Sequence, residues 1–446
     1  MDLMFISILF GVFLLLLFMG ASITAALGSA ALAAAYYLDK NPLSFIQLAF
    51  ESLASFPLLA LPAFILAGAL MEVAGISKRL VNIAEAFAGP VTGGLSAATV
   101  LACAFFGAIS GSGPATTAAV GMLMIPAMVD RGYDKGYAAA ITASSGGLGV
   151  VIPPSIPMII FGVSAIGIQP PPEALAQFGP FQSVSIAKLF MAGVFPGFLI
   201  AFGLLTVNFL ISKKRGYKGL VEHWDTGAIY KSLKEGIWSL LAPFIILGGI
   251  YSGYFTPTEA AVVANFYALF VGFFLHKEIK PKAILACLET TTWILGRVLL
   301  LLFAATLFGR LIVEERVPVF LAEAILSFSD NIYIIWALII LLLLFVGMFM
   351  ETLAAIMILT PVLLPVTYMM GVDPVHAGIV IVCSLAVGFQ TPPMGDNLFV
   401  ASGITKLSIE EISWKALPFA AITIMMLFVI AYVPEVSLWL PQWLGY

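Results

Sequence analysis

PAMVDRGYDKGYAAAITASSGGLGVVIPP, residues Pro126 to Pro154, returns in outline as PVTYMMGVDPVHAGIVIVCSLAVGFQTPP, residues Pro365 to Pro393. Pro126, Gly132, Asp134, Ala138, Ser145, Gly149, Pro153 and Pro154 recur as Pro365, Gly371, Asp373, Ala377, Ser384, Gly388, Pro392 and Pro393, each 239 residues later and without a gap. Proline and glycine interrupt helices, so the duplicated items are the interruptions themselves. In a membrane chain, paired interruptions at matching places in two halves point to a transporter's binding site.

Composition makes it a membrane chain. Of 446 residues, 61% are hydrophobic and only 10% charged, too little polar surface for a soluble fold of this length. A net charge of −4, with no basic stripe, gives nucleic acid nothing to bind. Cys103, Cys287 and Cys383 are far apart in or beside apolar runs, so no disulfide framework is expected. The first apolar run has Asp2 in place of a basic flank and reads as a retained span, not a signal peptide.

The pattern predicts an all-α polytopic protein. Spans are expected at 3–20, 22–38, 59–75, 136–165 and 186–212, with a re-entrant hairpin at 92–128. The second copy gives spans at 237–255, 259–275, 298–313, 375–404 and 413–433, with a hairpin at 332–368. Five crossings per half is an odd number, so the two repeats are inverted. With both termini outside, 15 of the 20 Lys and Arg fall on the inner side, among them Arg131, Lys213, Lys214, Arg215 and Lys218, as the positive-inside rule requires. Segments 42–58, 281–297 and 226–236 read as helices lying along the interface, or else as extensions of longer tilted spans. Tyr36, Tyr37, Trp238, Trp414, Trp439 and Trp443 suit interfacial anchors.

In Ser144–Pro157, Gly146, Gly147 and Gly149 loosen the helix, and Pro153 and Pro154 remove two amide donors. Unwound backbone at that depth persists only inside protein or along a cavity. Freed carbonyls suit a hard cation, and the N-terminus of the half-helix resuming at Ser155 suits an anion. Gly388–Asn397 repeats the break with more polar groups. The first hairpin tip, Ser110–Thr117, has Gly111 and Gly113 for a tight reversal, Pro114 to restart the helix, and clustered hydroxyls. Its partner, Phe349–Leu353, places Glu351 at the position of Ser112 but has no Gly-Pro break, with Gly347 the nearest glycine.

Charged groups at depth cost roughly 2.5–3.5 kcal/mol each on insertion scales. Glu351 and Asp396 are therefore functional candidates, with helix capping the plainer role for Asp396. No Lys or Arg is expected at either break, so an anion there would rely on helix dipoles, hydroxyls and a bound cation. Thr256–Glu259 reads as a capping box. His223, His276 and His376 are scattered and form no metal constellation.

At these motifs the chain resembles the large membrane subunit, DctM type, of tripartite ATP-independent periplasmic (TRAP) transporters. The resemblance rests on Phe106–Thr117, Leu148–Pro157, Gly253–Ala261 and Thr391–Phe399, and runs along essentially the whole chain. It implies Na+-driven uptake of a small organic anion across the bacterial inner membrane. A periplasmic substrate-binding protein would deliver the anion, and a separate small four-helix membrane subunit would complete the permease. It also implies an elevator mechanism, in which regions 91–165 and 331–405 move against scaffold regions 1–90, 166–330 and 406–446. By similarity one Na+ site holds Ser112, Gly113, Ser145, Gly149, Val151 and Pro154. A second holds Gly347, Glu351, Thr391, Met394 and Asn397. Ser110, Ser112, Thr116, Ser155, Glu351, Asp396 and Asn397 are expected around the substrate. Family members often carry apolar residues where Met394 and Asp396 stand, which sets this second pocket apart.

Three other readings compete. A channel is one, and concentrative uptake driven by an imposed Na+ gradient would argue against it. A stand-alone Na+/carboxylate symporter would need no binding protein. An intramembrane enzyme would need a paired catalytic Asp, an HExxH helix or a Ser–His pair at depth, and the sequence offers none.

Overall fold

The computed structural model describes residues 3–53, 56–219, 221, 223–317, 320, 331–392 and 395–445. Among them the chain is all-α, with twenty-one α-helices. The first half contains α1 (Leu3–Phe18), α2 (Ile23–Tyr37), α3 (Pro42–Leu53), α4 (Ala60–Val73), α5 (Ile76–Ala88), α6 (Gly94–Ser110), α7 (Gly113–Asp130), α8 (Lys135–Gly146), the single turn α9 (Leu148–Val151), α10 (Ile156–Ser164), α11 (Pro172–Phe178) and α12 (Ile186–Arg215). The second contains α13 (Thr226–Tyr251), α14 (Pro257–Phe270), α15 (Pro281–Glu314), α16 (Ile332–Phe349), α17 (Thr352–Met369), α18 (Pro374–Gly388), α19 (Asp396–Thr405), α20 (Ile409–Tyr432) and α21 (Glu435–Trp443).

The repeat survives in three dimensions. Adding 239 to the bounds of α7 reproduces those of α17, and α6, α8 and α10 land within a few residues of α16, α18 and α19. Both expected hairpins are present, as α6–α7 and α16–α17. By length and composition seven described helices can cross a membrane, or nine if the bent pairs α4–α5 (68°) and α8–α10 (44°) each count as one. Two of the nine, α16 and α17, are the arms of the second hairpin, so seven of the ten expected crossings are met. The 375–404 span is divided into α18 and α19, while α1 and α2, at 16 and 15 residues, reach only about 24 and 22 Å.

Three local expectations are corrected. Segment 281–297 is no separate arm but the first half of α15, a 34-residue helix about 51 Å long, well beyond the hydrocarbon thickness. Segment 226–236 likewise runs unbroken into α13. Its Asp225 side chain caps that helix, and nothing after it breaks the helix until Tyr251. The sequence reading also missed α5, which leaves α4 at a sharp corner where Gly75 takes φ +71°. The expected capping box is present, with Thr256 and Glu259 each bonding the other's backbone.

Packing divides the helices into two groups. α1, α2, α3, α4, α5, α13, α14 and α15 pack mainly on one another. Small residues make this possible: Ala26, Ala30 and Ala34 of α2 are fully buried, letting backbones approach where lipid removes the hydrophobic drive. The hairpins and broken helices form the second group, and α12, α20 and α21 pack with them. Tyr137 on α8 anchors α12 by donating to Asn208 Oδ1 at 2.7 Å. His376, 239 residues on, bonds Ser437 on α21 at 2.7 Å and Ala431 O on α20 at 3.2 Å. The groups touch chiefly through α5–α6 and α15–α17. Beside the second contact lies a cavity of about 350 Å³, lined by Glu51, Ser164, Thr306, Arg310, Met357 and Pro361.

Candidate functional site: two helix breaks that meet

The repeated residues have structural reasons. Gly132 and Gly371 take φ of +81° and +69° in the turn ahead of each broken helix, where a side chain would be strained. Asp134 then caps α8, accepting from the Tyr137 amide at 2.7 Å, and Asp373 caps α18, accepting from the Val375 amide at 2.8 Å. Ala138 and Ala377 are fully buried one turn later.

Hairpin 1 reverses at Ser110–Ser112, with Gly111 at φ +62°. Its tip is knitted by hydroxyls. Ser110 and Thr116 share a 2.8 Å hydrogen bond, Thr116 donates to Ser112 O at 2.7 Å, and Thr117 to Gly113 O at 3.0 Å. The tip rests on the first break, where the Ile156 amide donates to Gly111 O at 3.3 Å. A Cβ on Gly149 would lie 2.3 Å from Thr116 Oγ1 and 2.7 Å from Ser112 O. One on Gly107 would lie 2.8 Å from Gly149 Cα. Only glycine permits backbones this close.

The second half repeats the device. A Cβ on Gly388 would sit 2.8 Å from Gly347 Cα on α16. α18 ends there, and the chain re-enters α19 at Asp396, with the Asn397 amide donating to Phe389 O at 3.2 Å. Thr391 donates to Val387 O at 2.7 Å.

The two breaks touch. Asn397 Nδ2 donates to Ala143 O of α8 at 3.0 Å. A Cβ on Gly113, at the hairpin 1 tip, would lie 3.1 Å from Asn397 Oδ1. On the other flank, a Cβ on Gly147 would lie 3.3 Å from Ala386 O of α18. Asn397 Oδ1 and Ser145 Oγ are fully buried and have no hydrogen-bond partner among the described residues. Such orphaned groups are rare and cost roughly 1–3 kcal/mol each, so a pair of them beside unwound carbonyls points to a ligand. The available donors are amide, hydroxyl and carbonyl oxygens, the set a hard cation prefers.

The profile of the family described as "Tripartite ATP-independent periplasmic transporter, DctM component" matches residues 10–436. The chain belongs to this family. It is the large permease subunit of a TRAP transporter, a multi-pass membrane protein and not an enzyme. Among its relatives are the "Isethionate TRAP transporter permease protein DctMQ" of Oleidesulfovibrio alaskensis, 44% identical over 97% of this chain and 66% of that protein. The "C4-dicarboxylate TRAP transporter large permease protein DctM" of Rhodobacter capsulatus is 37% identical over 98% of this chain and 99% of the relative. The "Sialic acid TRAP transporter large permease protein SiaM" of Vibrio cholerae is 37% identical over 97% of each. Two solved transporters share the fold at low identity. Alcanivorax borkumensis YdaH matches with TM-score 0.63 and 15% identity, over 93% of this chain and 90% of its own. Neisseria gonorrhoeae MtrF matches with TM-score 0.59 and 14% identity, over 89% and 84%.

In this DctM chain, Ser110, Ser112, Gly113, Thr116, Gly149 and Pro154 converge where hairpin 1 meets the first break, a Cβ on Gly111 lying 2.9 Å from Pro154 O. The Val151 carbonyl faces α12, where a Cβ on Gly193 would lie 2.9 Å from it. Ser155 caps α10, accepting from the Met158 amide at 3.3 Å and donating to Val150 O, so its hydroxyl is committed to the break. Asn397, expected at the second site, keeps its amide on Phe389 O of the second break and also reaches the first through its side chain. The reason is packing: α19 lies between α7 and α8.

Glu351 and Gly347 part company. Gly347 is buried against Gly388, whereas Glu351 is 48% exposed at the hairpin 2 tip, 3.8 Å from Arg297 of α15. Asp396 begins α19 without making a capping bond, and its carboxylate has no hydrogen-bond or ion-pair partner among the described residues. Met394 lies outside the described residues.

Three residues escaped the sequence reading. Thr352 follows the hairpin 2 tip, buried with an unpartnered hydroxyl; it stands 239 residues after Gly113, so the repeat itself could have flagged it. Gln390 donates to Thr423 of α20 at 2.6 Å and leaves its buried Oε1 unpartnered. Its position between Gly388 and Pro392 was the available signal. Arg297 brings a positive charge to the hairpin 2 tip, not to either break. Its lone charge in an apolar stretch was legible, but its partner was not.

Proposed function

We propose that this subunit imports a small organic anion, a carboxylate or sulfonate, together with Na+, after a periplasmic binding protein has delivered it. The observation that carries the reading is Asn397, which joins the two breaks and holds an orphaned buried oxygen against Gly113 at the hairpin 1 tip, 3.1 Å from where its Cβ would lie. Na+ fits these oxygens, and bound there it would supply positive charge next to the anion. Hairpin hydroxyls and the N-termini of α10 and α19 would orient the anion. A second Na+ would use the hairpin 2 side, near Thr391, Thr352 and Gln390. The substrates named for the relatives, isethionate, C4-dicarboxylate and sialic acid, are all organic anions.

In this reading the repeats are inverted, both termini face the periplasm of a bacterial inner membrane, and an elevator motion carries the site across. The moving block comprises the hairpins and broken helices with α12, α20 and α21. The frame comprises α1 to α5 and α13 to α15, so α12, α20 and α21 leave the scaffold to which the sequence assigned them. A small four-helix subunit completes the frame; the isethionate relative, of which this chain spans 66%, would carry that subunit fused.

The competing stand-alone symporter differs in one measurable respect. Proteoliposomes containing the two-subunit permease are expected to accumulate radiolabelled anion only when the binding protein is added outside. Uptake at the same rate without it would establish the symporter instead.

A further inference from the structure

A second cavity lies away from the breaks, where the loop after α12 crosses the turn between α7 and α8. It is a cleft of about 370 Å³, open to the surface, lined by Leu95, Arg131, Gly132, Tyr133, Arg215, Gly216, Tyr217, Lys218 and Gly219. Arg131, Arg215 and Lys218 bring three positive charges to it, and no carboxylate lines it. The nearest acid, Asp134, is held by Lys415 at 2.7 Å, which leaves Arg215 a looser contact at 3.8 Å. Glu85 acts on Arg131 from outside the lining.

The walls are built and rigid. Tyr133 and Tyr217 stack with centroids 4.1 Å apart, and Tyr217 Oη accepts from the Asp134 amide at 3.1 Å. The Tyr217 carbonyl accepts from the Gly93 amide at 3.0 Å, and Val221 donates to Gly89 O at 3.4 Å, strapping the loop to the base of hairpin 1. Gly132 and Gly216 open onto space, with nothing within 4 Å of a Cβ on either. Tyr133 is buried, with its hydroxyl turned toward Ser96 and the Leu95 backbone. The Lys218 and Gly219 amides make no backbone hydrogen bond among the described residues.

Two guanidiniums, an ammonium and free amides around one space match a tetrahedral oxyanion, since Arg binds phosphate oxygens in bidentate fashion. The depth favours a lipid source. The cavity sits at the end of the 30-residue α12, beside Lys213 and Lys214, and exposed Trp224 and Tyr230 mark a membrane interface. We propose that this cavity is a phosphate-binding site filled by the headgroup of an anionic phospholipid, which pins the loop to the base of hairpin 1.

The test is native mass spectrometry of the full chain in neutral detergent, offered phosphatidylglycerol, phosphatidylcholine or inorganic phosphate. The wild type is expected to retain phosphatidylglycerol about tenfold over phosphatidylcholine, and phosphate is expected to compete it off. In Arg131→Gln/Lys218→Gln the preference should fall to near parity. Should the double variant fail to fold, Lys218→Gln alone, in an exposed loop, is expected to lose several-fold. Phosphate adducts without lipid preference would keep the chemistry and assign the source to a soluble phosphate. Equal retention of both lipids with no phosphate adduct, or a preference unchanged by the substitutions, overturns the proposal.

Discussion

At the residue scale, Asn397 is the point where the two halves of the chain become one site. Its Nδ2 is satisfied by Ala143 O, while its buried Oδ1 is left for a ligand. Asn397→Ala is therefore expected to raise the Na+ concentration for half-maximal uptake by about tenfold or more, the equivalent of roughly 1.4 kcal/mol. A sodium titration of initial uptake rates checks this; an unchanged midpoint would leave Asn397 a purely structural link. Asp134 makes a separate, structural prediction. Burial alone would raise its carboxyl, but the hydrogen bonds from Lys415 and the Tyr137 amide, with the charge of Arg215, outweigh burial and hold it below the ordinary carboxylate range. A folded pKa below the unfolded value contributes stability at neutral pH that disappears as pH falls below about 4. Asp134→Ala is expected to destabilise the protein by about 1 kcal/mol, modest because the side chain is 39% exposed. Thermal unfolding of the detergent-solubilised protein should show the gap to wild type at pH 7 narrowing below pH 4.

At the element scale, the glycine contacts Gly107–Gly149 and Gly347–Gly388 let each hairpin sit directly on its break. Gly149→Ala and Gly388→Ala place a methyl group 2.7 Å from Ser112 O and 2.8 Å from Gly347 Cα, backbone contacts that cannot be relieved by a rotamer change. Each is expected to cost about 1–3 kcal/mol and to reduce uptake far more than expression; full transport by either variant would show that the close approach is dispensable. Arg297 and Glu351 form a different contact, joining α15 of the frame to the hairpin 2 tip at 3.8 Å. If the hairpins move against the frame, this pair must part. Glu351→Gln is then expected to change the transport rate more than the anion concentration giving half-maximal rate, as a rate-against-concentration series would reveal.

These elements also show what the sequence could and could not disclose. Breaks, hairpins and caps are dictated by Gly, Pro and Asp at fixed places, so the 239-residue offset located them to within a few residues. Where a helix simply continues, as at 226–236 and 281–297, amphipathic composition resembles an interfacial arm, and only the absence of a break distinguishes the two. Contacts between halves were illegible. No local pattern says that Asn397 crosses to α8 or that Arg297 meets Glu351, because both depend on how distant helices stack.

At the scale of the whole molecule, the packing separates a frame from a block that holds both breaks, and the two meet chiefly along α5–α6 and α15–α17. That division is what a moving-block transporter requires, and under the proposed function the ion and the anion would ride in the block that holds the breaks. The account's central claim is that the joined breaks make anion movement depend on Na+. The most direct measurement is initial anion uptake into proteoliposomes containing the complete permease and its binding protein, with an inward Na+ gradient or with the same concentration of K+. The account predicts concentrative uptake with Na+, near-background uptake with K+, and a loss of that difference in the Asn397→Ala, Ser145→Ala double variant. Equal uptake in Na+ and K+ by the wild-type permease would contradict it.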